Sequence, residues 1–171
     1  INARLFDMDC ADWDKDGARR YATKEAAPKL GGRAERVFTE IYGSNTQMAV
    51  MCPATKYWQD KMAGIMCRLV RDLGVDAVYV DQVSAAWSEA CSDPAHGHPL
   101  RGGGWWVDGY ARMMEETWRR LRKTGCDRDV LLTSEYNADA YLNMFGNFLM
   151  LHSVRNYVVP MFTASYGGYA P

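Results

Sequence analysis

The chain has 171 residues, 48% of them hydrophobic and 24% charged, with a formal net charge of −1. That profile belongs to a globular domain with a core, excludes fibrous and disordered classes, and offers no long-range field for nucleic acid or an anionic membrane. No apolar run approaches the roughly 18 residues a membrane span needs, so no membrane partner is expected.

The first 32 residues are polar and mixed. Their Asp12-x-Asp14-x-Asp16 spacing resembles a calcium loop but lacks the later ligand positions, so a solvated loop leading into a helix is expected. Arg36–Tyr42 fits a strand or a helix. Met48–Cys52 reads as a short buried strand, with Pro53 as a stop and Thr55 as a helix cap. From Tyr57 to Leu73, apolar Trp58, Met62, Ile65, Leu69 and Leu73 recur at helical spacing, and Gly74 closes the helix. Gly74–Val83 is β-branched and aromatic, the pattern of a buried parallel strand, so strand, helix and strand follow within about 35 residues as a βαβ unit. Ser84–Gly104 is a long connection. A second helix is predicted from Trp105 to Thr124, with Trp106, Tyr110, Met113, Met114, Thr117, Trp118 and Leu121 inward and Gly125 at its end. Val130–Ser134 is the next strand, followed by a helix from Ala138 to Phe145 and strands at Phe148–Leu151 and Tyr157–Phe162. One domain over residues 1–171, of α/β class, is expected.

Two of these strands end on an acid. Asp81 and Glu135 fall at the C-terminal tips of successive βα units, where α/β proteins carry their chemistry. Neighbouring strands lie about 4.8 Å apart, which brings terminal carboxyls to the roughly 5 Å separation of a retaining glycosidase. A short Asp fixed on the strand suits the nucleophile; a longer Glu beside Tyr136 suits the acid. The alternative is structural, each acid capping a helix or pairing with an arginine.

The loop segment Cys91-Ser-Asp-Pro-Ala-His96-Gly-His98 gathers a thiol, a carboxylate and two imidazoles. His-x-His with a Cys five residues earlier fits no common structural-zinc spacing, so no metal is expected. His96 and His98 are instead candidates for hydrogen bonds to sugar hydroxyls, or else order the loop. Trp105 or Trp106 could stack on a sugar ring. The five cysteines lack a Cys-x-x-Cys pair and read as free thiols. They leave the compartment open, secretion being one option.

Several motifs in order, Met51-Cys-Pro-Ala-Thr55 with Trp58-Gln59, Val78-Tyr-Val-Asp-Gln82, His96-Gly-His-Pro99, Gly102-Gly-Gly-Trp-Trp106, Thr133-Ser-Glu135, Val159-Pro-Met-Phe162 and Tyr166-Gly-Gly-Tyr169, resemble a bacterial family of glycoside-hydrolase-like (β/α)8 domains, the DUF6259 type. More distantly, the arrangement is similar to the α-amylase superfamily and the endo-α-N-acetylgalactosaminidases. The resemblance implies a retaining glycoside hydrolase acting on an α-linked oligosaccharide or polysaccharide, with Asp81 as nucleophile and Glu135 as acid/base, and without a cofactor. Candidate substrate contacts are Gln82, His96, His98, Trp105 and Tyr136. A complete barrel takes about 250 residues, so the expectation is a partial (β/α)8 TIM barrel holding the middle strands, a fragment needing its missing strands or a partner chain. The runner-up is a non-catalytic carbohydrate-binding or scaffold barrel; a third reading is a metal-dependent hydrolase using the histidine loop.

Overall fold

The computed structural model describes residues 1–149 apart from 16, 27–35, 44 and 128, together with residue 165. The expected strand Tyr157–Phe162 and the motifs beyond it lie outside the described residues. The chain forms β1 (Leu5–Asp7), β2 (Lys24–Glu25), β3 (Arg36–Val37), β4 (Thr39–Tyr42), β5 (Thr46–Val50), α1 (Lys56–Leu73), β6 (Ala77–Val80), α2 (Trp105–Thr124), β7 (Leu131–Glu135) and β8 (Asn147–Leu149).

Both long helices start and stop close to where the sequence places them. Gly74 and Gly125 stand in left-handed conformations, with φ of 68° and 70°, and their N–H groups close the final turns. Thr55 stands at the N-cap of α1, but its hydroxyl donates back to the Cys52 carbonyl at 2.8 Å instead of capping the helix. The buried stripe of α1 is Trp58, Met62, Met66 and Val70. It is rotated by one position from the expected Ile65–Leu69–Leu73 line, and Leu73 is 71% exposed. The rotation turns Met66 and Cys67 toward α2, where the Met66 sulfur lies 4.0 Å from the Thr117 hydroxyl and the Cys67 thiol donates to the Thr117 carbonyl.

The strand before α1 is a correction. β5 pairs antiparallel with β1 and β4 in a separate three-stranded sheet, so it does not open a βαβ unit with β6. The parallel neighbour of β6 is instead the segment Ile1–Ala3. Asp81 N–H donates to the Ile1 carbonyl at 2.8 Å and Ala3 N–H donates to the Asp81 carbonyl at 3.4 Å, a parallel bridge between Asn2 and Asp81. On its other side β6 pairs in parallel with β7, and β7 with β8. The α/β class therefore holds, whereas the described residues do not close a (β/α)8 barrel: the sheets are small and open. The expected helix from Ala138 to Phe145 is also corrected. It shrinks to a single 3-10 turn at Asp139–Tyr141, after which Gly146 N–H already pairs with the Leu132 carbonyl at 2.9 Å.

The pleat separates two faces of the parallel ladder. Val78, Val80, Leu132 and Ser134 are buried, and the first three join a core that includes Met62 and Met66 of α1 and Met113 and Leu121 of α2. Tyr79 and Thr133 alternate with them, on the same open face as the terminal acids Asp81 and Glu135. None of the described helices is long and apolar enough to cross a membrane.

Where α2 passes the start of α1 the backbones nearly touch. A Cβ on Gly109 would stand 2.6 Å from the Pro53 carbonyl carbon and 2.8 Å from the Ala54 nitrogen. Gly109→Ala gains about 1 kcal/mol of helix propensity. It also forces two backbones apart, an overpacking cost of about 1–3 kcal/mol or more. Urea denaturation is expected to show a net loss of stability; an unchanged or higher midpoint would mean that α2 shifts freely over this junction.

Candidate active site

Asp81 and Glu135 converge because their strands are paired in matched register. Val80 stands opposite Ser134, so the next residue on each strand is an acid facing the same side. Asp81 acts on Glu135 electrostatically, and two carboxyls that interact in this way do not readily both stay charged. Glu135 is the one whose neutral form is favoured. Burial raises its pKa first, and the neighbouring Asp81 carboxyl raises it further, while an N–H donated by the Gln82 backbone pulls the other way. Asp81 is held from the other side by Asn2, whose Nδ2 donates to Asp81 Oδ2 at 3.0 Å and to Gln82 Oε1 at 3.1 Å. The Asn2 oxygen meanwhile accepts the backbone N–H groups of Arg4 and Leu5 at 3.0 and 2.8 Å, which fixes the amide's direction.

Each acid is followed by a residue in the left-handed region: Gln82 at φ 63° and Tyr136 at φ 55°. For residues with a Cβ this costs roughly 1–2 kcal/mol each. The neighbourhood compensates: the Ser84 hydroxyl donates to the carbonyls of Glu135 at 2.5 Å and Tyr136 at 2.8 Å, and Ser134 donates to the Val80 carbonyl at 2.7 Å. Strain stored at paired strand tips is a common mark of a working site.

Because the folded pKa of Glu135 is raised, the stability this group contributes is fully present below its ordinary value of 4.5 and is lost as pH rises through the raised one. Glu135→Gln removes that loss. The melting temperature of the variant relative to the parent is therefore expected to climb as pH is increased from 4.5 upward; a flat difference would show Glu135 titrating as a free side chain.

Of the other residues selected from sequence, Gln82 and Tyr136 stay beside the pair. Gln82 Nε2 donates to the Tyr42 hydroxyl, and Tyr136 lines a cavity of about 210 Å³ with Ser84, Ala85, Asn137 and Ala138. Sequence reasoning missed Tyr42, whose phenol is shifted upward by burial and then by Glu40, Asp81 and Glu135, and Asn2, because both arrive from a distant part of the chain. Tyr79 was legible as the residue two before Asp81 on the same face of its strand; burial, Glu135 and Asp81 raise its pKa too. A larger cavity, about 690 Å³, lies between α1 and α2 and is lined by Arg68, Arg71, Arg119 and Arg120, without either acid.

His96, His98 and Trp105 are engaged with protein neighbours. His96 and Trp105 are buried, and Trp105 stacks on the His98 ring at a centroid distance of 3.6 Å. The imidazoles meet two thiols instead, His96 Nδ1 at 3.4 Å from Cys91 Sγ and His98 Nε2 at 3.4 Å from Cys52 Sγ. These four side chains could hold a metal ion, an option that spacing within the loop alone did not reveal because Cys52 comes from the end of β5.

The family described as "Domain of unknown function (DUF6259)" matches residues 1–171. The chain is a member of the DUF6259 family. The DUF6259 chain is 30% identical over 169 residues to a Bacteroides thetaiotaomicron protein named "Putative glycoside hydrolase", covering 97% of this chain and 24% of that protein. A Monosiga brevicollis protein of similar name is 29% identical over 175 residues, covering 99% of this chain and 14% of its own length. The DUF6259 chain thus spans a quarter or less of these relatives. Among solved structures it resembles an α-N-acetylgalactosaminidase from Bifidobacterium bifidum, with a TM-score of 0.57 at 15% identity, covering 86% of this chain and 21% of that one. It also resembles an α-galactosidase from Thermus thermophilus, with a TM-score of 0.56 at 12% identity, covering 85% and 26%. These structural likenesses concern the fold.

Proposed function

We propose that this DUF6259 chain supplies the acid pair of a retaining glycoside hydrolase acting on an α-linked sugar, with Asp81 as nucleophile and Glu135 as general acid/base. The observation that carries the proposal is the matched register that sets two carboxyl groups at the tips of adjacent parallel strands, one of them pushed toward its neutral form. An inverting enzyme keeps its carboxyls about 6.5–9.5 Å apart to admit a water, and acids on neighbouring strands favour the shorter separation. The retaining reaction works at about 5–5.5 Å, a separation reached when the longer Glu135 side chain rotates away from Asp81 over an entering sugar.

In the first step an Asp81 oxygen bonds to the anomeric carbon, the glycosidic C–O bond breaks, and the Glu135 proton passes to the departing oxygen. In the second, water attacks the glycosyl ester, its proton goes to Glu135, and Asp81 is released. Asn2 orients the nucleophile throughout. Gln82, Tyr136 and Tyr42 are the proposed contacts to sugar hydroxyls. Trp87, 79% exposed and five positions beyond Gln82, is the proposed stacking surface. The α-linkage is proposed from the family resemblance and from the α-glycosidases among the fold relatives.

Treatment of the intact protein with 5-fluoroglycosyl fluorides of the galacto, N-acetylgalactosamino and gluco series, followed by peptide mass spectrometry, tests the assignment. The expected label is one glycosyl group on the peptide carrying Asp81. Sugar binding without label or turnover would favour the non-catalytic barrel.

A further inference from the structure

We infer that Cys52, Cys91, His96 and His98 form a structural zinc site that fastens the 84–104 connection to the rest of the domain. Four potential ligand atoms, two thiol sulfurs and two imidazole nitrogens, lie within 4.8 Å of one another, and Cys52, Cys91 and His96 are buried. In a tetrahedral zinc centre with Zn–S of about 2.3 Å and Zn–N of about 2.0–2.1 Å, ligand atoms stand about 3.3–3.8 Å apart. The sulfur–nitrogen edges His96 Nδ1 to Cys91 Sγ and His98 Nε2 to Cys52 Sγ are both 3.4 Å. The remaining edges need a contraction of at most about 1.5 Å to reach that geometry.

The second observation is how the histidines are held. His96 Nε2 lies 2.8 Å from the Arg20 carbonyl, and His98 Nδ1 lies 2.7 Å from the Pro99 carbonyl. A carbonyl oxygen only accepts, so in each neutral ring the outer nitrogen carries the hydrogen and the inner one presents its lone pair to the thiols. This backbone anchoring of the far nitrogen is what metal-ligating histidines use to fix tautomer and ring direction. Trp105 stacks flat on His98 with an interplanar angle of 7°, locking the second imidazole in place.

Four protein ligands leave no open position, which makes the site structural and not catalytic. The ligands come from separate places: Cys52 from the junction of β5 and α1, Cys91 from a bridge to Arg101, His96 from the end of a short 3-10 turn, and His98 just before the glycines that lead into α2. The connection they pin begins directly after Asp81 and Gln82. Zinc binding would release both thiol protons and join these segments through one centre, tying the loop beside the acid pair to the buried residues that lead into α1.

Metal content of the intact protein, dialysed exhaustively after expression with zinc in the medium, should exceed that of Cys91→Ala by one zinc per chain. X-ray absorption on the parent should show two sulfurs at about 2.3 Å and two nitrogens at about 2.0–2.1 Å around that ion. Cobalt loaded in place of zinc should give the visible absorption and thiolate charge-transfer bands of a tetrahedral centre. Cys52 and Cys91 should resist alkylation in the native protein until a chelator is added. Should Cys91→Ala fail to fold, the cobalt spectrum and alkylation of the parent still decide. Equal zinc content in parent and variant, a parent without tetrahedral cobalt bands, or a Cys52–Cys91 disulfide found by mass spectrometry would each overturn the assignment.

Discussion

Replacing Asp81 by alanine in the intact protein is expected to reduce turnover of an aryl α-glycoside by about 10⁴-fold or more, the scale on which loss of a covalent nucleophile is felt in other enzymes. Azide should restore part of that activity from the vacated face, giving a glycosyl azide of inverted configuration. Glu135→Ala should behave differently. With a good aryl leaving group the first step needs little acid assistance, so glycosylation persists while hydrolysis of the ester falls by roughly 10²–10⁴-fold. Azide needs no general base, and here it should yield the retained glycosyl azide. The opposite pattern of azide products would exchange the two roles; parental turnover in both variants would remove the pair from the chemistry.

The largest expected loss of stability is at Arg4. Its guanidinium is 1% exposed and pairs with Glu40 at 2.8 Å and Glu89 at 2.9 Å, while Nη1 donates to the Trp87 carbonyl at 2.8 Å. The cation also lies 5.6 Å from the centre of the Trp106 ring. One side chain thus joins β4, the 84–104 connection and α2. Arg4→Met keeps volume but strands two partly buried carboxylates, and breaking a buried pair in this way costs about 3–5 kcal/mol. Because Glu40 and Glu89 retain some contact with water, the lower end of that range is expected in chemical denaturation. Arg4→Lys should fall between, since an ammonium cannot serve three acceptors through a planar fork. A loss below about 1 kcal/mol for Arg4→Met, the scale of a solvated surface pair, would show that water already screens the network.

Much of this was readable from sequence where the signal is local. The two helices follow from apolar spacing and from glycines at their C-terminal ends, and the acids follow from β-rich runs that stop on a carboxylate. Other features depend on which distant segments meet. Met48–Cys52 has the same composition whether its partner runs parallel or antiparallel, so its sheet could not be assigned. Residues 138–145 carry apolar side chains at helical spacing, yet Gly146 returns to strand pairing too soon for a helix to propagate. Asn2 and Tyr42 reach Asp81 and Gln82 from other elements, and Cys52 meets Cys91 across 39 positions, contacts for which a single chain gives no local pattern. His96 and Trp105 sit in or beside a polar loop, a place that suggests ligand contact, and their burial depends on distant segments that no local pattern announces.

The matched pairing of Val80 with Ser134 has a consequence for how such a chain can change. Side chains alternate across a strand, so adding or removing one residue within β6 or β7 would swing one carboxyl through the sheet into the methionine-rich core. Only even changes in strand length keep both carboxyls on the open side. Variation in length is therefore confined to the stretches between strands, and the parity of two short segments guards the acid pair more strictly than the identity of any residue around it.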